Sequence, residues 1–417
     1  MKPVHRTTLF LGLGLLVLGA FRSARLARAD AFYRSARIES IRQATLLEPG
    51  NALYPAGVAE WVAAREGDPR PDLVRAIGLN PRDPALHIRL GLEQEQRGNS
   101  GEAERQLLVA ADVSAKFTPR WTLANFYFRA GNEGSFWRWA RAALSISYGD
   151  RRPLFDLCWK LGADAREILA RAVPGRRDVR RDFTADLLRR GEWTAAARLS
   201  GALVEDASPA ERLFFLGVTD TLLRNSRPVM AFEVWNSLCR RGILPYRPRG
   251  PGTPPRLTNT RFEQAPLRHG FDWRFTSTEG LHIAPAPAGL RINLGGDQPE
   301  NCGVLTQFVV LPPGAYRLRC RYSTKTGIFS PPSASTGLHW RVYYGRNLLA
   351  SSPALPLSDR GDVTLEFRVP AGARGGRIAL HHLRASGATR MEGTVTLAEV
   401  TIEQRNSSSG TMRGQEP

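Results

Sequence analysis

PALHIRLGLEQEQRGNSGEAERQLLVAADVSA, residues 84–115, holds two amphipathic stretches hinged on Gly98-Asn99. The first stretch carries the large-small pair Leu90-Gly91, and the second sets Ala103, Leu107 and Ala110 on one face at helical spacing. Outward from this unit the same features return. Gly131-Asn132 follows Gly98-Asn99 by 33 residues, and Ala44, Ala76, Ala110 and Ala143 recur at spacings of 32, 34 and 33. Pro49 in Leu-Glu-Pro-Gly-Asn and Pro81 in Leu-Asn-Pro-Arg-Asp stand 32 apart. A period of this size marks a helix-turn-helix unit that buries its apolar face only against neighbouring copies.

The large-small pair in helix A, with small residues in helix B where the helices cross, resembles the tetratricopeptide repeat. The resemblance covers Asn51–Pro81, Pro84–Ala115 and Phe117–Ser147, with Ala29–Leu47 as one leading helix. Gln94 stands where that pattern has an aromatic and Phe136 where it has a small residue, so packing there must differ. Beyond Gly149 the repeat fades but helical periodicity persists. Arg151–Leu161, Ala165–Ala172, Asp178–Arg190, Thr194–Glu205, Pro209–Arg224 and Val229–Arg240 all read as helices, with Gly191 and Asn225 closing turns 34 apart. The resulting α-solenoid, residues 30–242, presents an extended surface suited to a protein partner. A spacer lifting the next domain off a membrane is the other reading.

Residues 1–29 read as an export segment. Lys2 and Arg6 precede a charge-free run, Thr7–Phe21, rich in Leu, Gly and Val. That length suits a signal h-region, and Ala27-Arg28-Ala29 offers a cleavage site; Arg22, Arg25 and Arg28 argue against cleavage and for a retained membrane anchor. Both readings place the body in the periplasm or cell envelope.

The remaining helical features have plain explanations. Trp121, Phe126, Tyr127, Phe128, Phe136, Trp137 and Trp139 cluster in the third unit, but their helical spacing makes most of them core. Arg176, Arg177, Arg180 and Arg181 form a basic knot that reads as a solvated helix start balanced by Asp178 and Asp182, with contact to an anionic polymer or lipid head groups as the other reading. The net charge is +19, with 54 arginines and only four lysines among the basic residues. That excess is spread along the chain rather than gathered on one reading element, which argues against nucleic-acid binding.

Residues 243–257 contain five prolines and two glycines and form a stiff linker. After it the period changes from 3.6 to 2. Leu281–Ala284, Leu290–Leu294, Val304–Leu311, Ala315–Ser323, Leu338–Tyr344, Val363–Val369, Ile378–Leu383 and Thr394–Glu403 read as strands of an antiparallel β-sandwich or jelly roll, residues 258–405. Residues 406–417 read as a disordered tail.

Asn-Thr-Arg-Phe-Glu (259–263) with Phe271-Asp272-Trp273 is similar to the first strand of galactose-binding-like carbohydrate-binding modules. Leu311–Cys320 resembles their middle hairpin, and Glu392–Glu403 their last strand. The resemblance implies a non-catalytic lectin-like sandwich, often with a structural calcium ion, for which Glu263 and Glu399 are the weak candidates. Saccharide recognition needs flat aromatic faces and fork-like donors. The candidates are Arg319, Arg321, His339, Arg341 and Tyr343 on polar strand faces, with Trp273 as a loop platform; a solvated outer sheet without ligand is the alternative.

Other chemistry finds little support. His381 and His382 point to opposite faces and cannot chelate together. Cys158, Cys239, Cys302 and Cys320 fit no zinc spacing. Cys302 and Cys320 would flank one hairpin whose register sets Leu305 opposite Cys320, which disfavours a disulfide. Hydrolase, P-loop and dinucleotide motifs are absent, and Glu366 is the clearest strand acid, without an evident carboxylate partner. No cofactor is implied. Two functions stand: an exported, non-catalytic adaptor in glycan assembly or export whose solenoid holds a protein and whose sandwich touches polysaccharide, and a purely protein–protein scaffold.

Overall fold

A computed structural model describes residues 3–250, 253–275, 278–325, 336–356, 360–373 and 375–405, with side chains from Phe10 onward. The tail expected at 406–417 lies outside the described residues. The helices are α1 (Pro3–Arg34), α2 (Ile38–Leu47), α3 (Leu53–Ala63), α4 (Arg70–Leu79), α5 (Pro84–Gln96), α6 (Ser100–Val113), α7 (Phe117–Arg129), α8 (Glu133–Ile146), α9 (Arg152–Lys160), α10 (Ala165–Arg171), α11 (Arg177–Arg190), α12 (Trp193–Glu205), α13 (Arg212–Arg224) and α14 (Pro228–Arg240). Ten strands follow: β1 (Arg274–Phe275), β2 (Leu281–Ala286), β3 (Gly289–Gly295), β4 (Asn301–Val309), β5 (Gly314–Lys325), β6 (Gly337–Tyr344), β7 (Asn347–Ser351), β8 (Gly361–Val369), β9 (Gly376–Leu383) and β10 (Glu392–Arg405). The chain is a tetratricopeptide-like helical array followed by a two-sheet antiparallel sandwich. It divides into two compact units, Met1–Val179 and Arg180–Pro417.

In the first unit the periodic alanines explain the hairpins. Ala44, Ala76, Ala110 and Ala143 lie in α2, α4, α6 and α8, and all four are fully buried. Gly91 allows α5 to approach α6, since a Cβ there would lie 2.9 Å from the Leu107 side chain. The turn at Gly98 repeats at Gly131: both have positive φ, and Asn99 N–H donates to Gln94 O (2.9 Å) as Asn132 N–H does to Tyr127 O (3.0 Å). This closure satisfies the last free helix carbonyls. It recurs in the second unit at Gly191 and at Ser226, so Ser226, not Asn225, takes the left-handed position there.

The expected leading helix, Ala29–Leu47, is two helices. Ala36 adopts φ 56° and breaks the run, so α1 pairs with α2 as a first hairpin. Phe10–Arg34 is long and apolar enough to cross a membrane, and Phe10, Leu15 and Leu16 are each more than two-thirds exposed. The far end of the same helix is packed. Ala29 is fully buried against Ala44 and Tyr54, and Arg25 Nε meets Glu48 Oε1 at 2.6 Å. Among the third-unit aromatics, Phe126, Tyr127, Phe136 and Trp137 are core, whereas Trp121, Phe128 and Trp139 are half-buried.

The second unit joins α12–α14 to both sheets. The proline-rich segment is packed: Asn236 exchanges two hydrogen bonds with the Arg249 backbone (2.9 and 2.7 Å), and Pro255 and Leu257 are buried. One sheet runs β1-β4-β9-β6-β7 and the other β2-β3-β10-β5-β8. Cys302 (β4) and Cys320 (β5) therefore lie in different sheets, not across one hairpin, and all four cysteines are free thiols. The presumed opening strand 259–263 is a loop with positive φ at Asn259 and Phe262. Its Thr258 backbone is held by the fully buried Gln307 side chain through two bonds of 2.9 and 3.2 Å.

Candidate functional site

The sandwich core decides which side chains are available. In β6, Leu338, Trp340 and Val342 are fully buried, so the alternate residues His339, Arg341 and Tyr343 belong to the outer face of the first sheet. Pairing with β9 sets His339 opposite His381, Arg341 opposite Ala379, and Tyr343 opposite Arg377. Pairing of β9 with β4 adds Thr306 beside Ala379 and Phe308 beside Arg377. The small Ala379 is fully covered, hemmed in by these longer neighbours.

This face is aromatic and cationic. The Arg377 guanidinium stacks 4.8 Å from the Tyr343 ring, and Arg274 lies 5.2 Å from the Phe308 ring. Tyr343 Oη and His381 Nε2 are 3.4 Å apart. Burial first, then the charges of Arg341 and Arg377 and the nearby His339, holds the His381 imidazole down to about 4. His339 is 2% exposed; its Nδ1 meets Ser352 O at 3.0 Å while its Nε2 has no partner. Arg341 Nε, Arg377 Nε and His381 Nδ1 are likewise buried without a partner among the described residues. Such groups are costly to leave unmet; with Nδ1 donating to Ser352 O, Nε2 of an uncharged His339 ring is an acceptor, whereas the two arginine Nε–H groups are donors.

The other candidates fall elsewhere. Arg319 and Arg321 lie on β5 in the second sheet, so they cannot join His339, Arg341 and Tyr343 in one site. Their charges are already answered: Arg319 pairs with Asp362 at 2.6 Å and Arg321 with Glu399 at 2.5 Å. Arg317 and Arg405 both hold Glu366, at 2.7 and 2.8 Å, so the strand acid is an ion-pair partner. Trp273 is not a loop platform. It is fully buried between Phe262 and Trp340, with Nε1 donating to Asn259 O at 3.0 Å. Glu399 also accepts from Arg261 at 2.8 Å, and no group of three or more potential metal ligands occurs among the described residues. In the basic knot, Asp178 takes both Arg151 and Arg176 at 2.6 Å.

Sequence reading passed over Arg377, Phe308 and Thr306, and weighed His381 only as a metal ligand. The signal for two of these was present, since Arg377-Ile-Ala-Leu-His381 alternates in the same sense as β6. What was missing was the β9 pairing that lays them beside Arg341.

The helical hairpin α13–α14 supports the approach to this sheet. Asp220 of α13 accepts from Gly270 N–H (2.7 Å) and Arg274 Nη2 (2.5 Å) and lies 2.6 Å from His269 Nδ1. Buried Asp272 accepts from Tyr246 Oη and from the Leu267 and Trp273 backbones, while burial, the largest influence, pushes its carboxyl above the usual range.

No protein-family model matches the chain, and no curated protein matches it. Among solved structures it is similar to PilF of Pseudomonas aeruginosa, at 12% identity and TM-score 0.28, over 52% of this chain and 93% of that one. It is similar to YrrB, described as a tetratricopeptide-repeat protein with an unusual peptide-binding site, at 12% identity and TM-score 0.24, over 50% and 94% of the two chains. It is also similar to TmCBM61, solved with β-1,4-galactotriose, at 14% identity and TM-score 0.23, over 32% and 88%. These likenesses reach no further than the two fold types.

Proposed function

We propose that the chain is a non-catalytic adaptor of the cell envelope, held at a membrane by α1. Its helical hairpins bind a protein partner, and the outer face of its first sheet binds polysaccharide. The observation that carries the saccharide reading is the pair of guanidiniums of Arg341 and Arg377, which have no ion-pair partner among the described residues, beside the ring of Tyr343. Hydroxyl-rich ligands satisfy such donors, and aromatic rings cover their apolar faces. The packing of Ala29 and Arg25 against α2 and α3 supports an anchor that stays attached, because cleavage after Ala29 would strip a helix from the first hairpin.

The test is a glycan array probed with the full chain in detergent micelles. Specific binding is expected, lost in Arg341→Ala with an unchanged melting curve. A blank array, with protein partners still recovered by pull-down, refutes the saccharide role and leaves a protein–protein scaffold.

A further inference from the structure

The sheet face described above continues into a cleft of about 770 Å³ between the α13–α14 turn and the β6–β7 hairpin. Arg224, Arg227, Arg346 and Arg377 line it together with Phe308 and Tyr344, and among the described residues no aspartate or glutamate does. Arg227, Arg341, Arg346 and Arg377 make no ion pair with any described residue. The arginine-rich composition accounts for how many guanidiniums there are, not for where the acids sit. On the second sheet Arg317, Arg319, Arg321 and Arg405 each have a carboxylate within 2.8 Å. The described strands of the first sheet carry no aspartate or glutamate, and of their arginines Arg274 alone is paired, with Asp220 of α13, while Arg341 and Arg377 are not.

Several cations sharing one partly desolvated groove repel one another, and that repulsion is relieved when an anion enters. The guanidinium fork matches a planar carboxylate with two parallel bonds, and stacking on Tyr343 presets the plane of Arg377. A volume of this size falls in the range of small-molecule sites, enough for a short oligosaccharide.

We infer that the ligand of this groove is an acidic saccharide, a chain of carboxylate-bearing sugars lying across Arg341 and Arg377 and reaching Arg227 and Arg346. This rests on the saccharide reading above and adds the charge class and the contribution of the helical hairpin. Arg341 and Arg377 bind sugar carboxylates bidentately, Phe308 and Tyr344 meet apolar ring faces, and Arg227 brings the α13–α14 turn into the site.

The experiment is calorimetric titration of the full chain in detergent with tetragalacturonate and with neutral galactotetraose. Tetragalacturonate is expected to bind about tenfold or more tightly than galactotetraose. R341Q/R377Q and R227Q/R346Q are each expected to weaken tetragalacturonate about tenfold, with the melting curve kept, and to bring the two probes together. R319Q/R321Q, on the opposite sheet, is expected to stay within about twofold of the parent. Equal affinity for both probes overturns the acidic-ligand inference while the saccharide role survives. Loss of binding in R319Q/R321Q as large as in the groove variants overturns it too, since bulk charge would then explain the affinity. Failure of both probes to bind takes down the saccharide role with it.

Discussion

Replacing Asp220 with alanine removes the acceptor through which α13 holds the segment leading into the sandwich. Three donors converge on that carboxylate, at 2.5, 2.6 and 2.7 Å, and its side chain is only 16% exposed. The Gly270 N–H loses its partner outright, worth about 1–3 kcal/mol, and the charge-assisted bond from Arg274 is worth a similar amount. Arg274 is a quarter exposed and keeps its 3.0 Å bond to Gly270 O, so part of its loss is recovered by water. The net expectation is about 3 kcal/mol of destabilisation, and about half of that for Asp220→Asn, which keeps one acceptor oxygen. For a unit of more than two hundred residues this is a fall of about 6–10 °C in Tm. Urea unfolding followed by tryptophan fluorescence checks it, because Trp235 and Trp273 lie on the two sides of the junction. A loss below about 1 kcal/mol, with one unbroken transition, would refute the view that this carboxylate fastens the helical hairpin to the sandwich.

Stability should also fall on acidification through His381. Its folded pKa of about 4 lies below the unfolded value near 6.5, so the unfolded chain takes up the proton first. The contribution is complete above about pH 6.5 and is lost between there and about pH 4; after discounting for solvent exposure it amounts to about 1–2 kcal/mol. Denaturation at pH 7.5 and 4.5 should show a smaller difference in His381→Gln than in the parent, and an identical difference counts against it. Trp273→Ala should cost about 3–5 kcal/mol by emptying the space between Phe262 and Trp340, and a variant that keeps its melting temperature and loses only ligand would contradict that placement. Protein purified from the host's membranes should retain the residues before Ala29 by intact mass; a mature terminus at Asp30 would show that α1 is not a lasting part of the first hairpin.

Much of the architecture was written in short-range periodicity. The alanines at 44, 76, 110 and 143 mark close helix crossings, where a larger side chain would push the pair apart, and the turns at Gly98 and Gly131 demand left-handed backbone. Strand positions were equally readable, since Leu338, Trp340 and Val342 alternate with polar residues. The misreadings came from partners chosen at long range. β4 and β5 look like a hairpin across Pro312-Pro313, yet β4 pairs with β9 and β5 with β8 and β10, because the chain crosses from the first sheet to the second between them. That choice separated Arg319 and Arg321 from Arg341 and set Arg377 and His381 beside it. Trp273 went astray for a related reason: its burial depends on Phe262 and Trp340, which nothing near it in the chain announces. Ala36 gave no sign of its left-handed conformation, so the break between α1 and α2 was invisible.

The unbroken helix from the apolar stretch into the first hairpin leaves no slack at that end of the molecule. From Phe21 to the buried Ala29 is eight residues of helix, a rise of only about 12 Å. With the apolar turns seated in a bilayer, the first hairpin hovers a few ångströms above the headgroups and turns only as the whole shaft turns. In the anchored state proposed above, a partner of that hairpin must already be at the surface, or belong to it, because this rigid shaft cannot reach outward to fetch one.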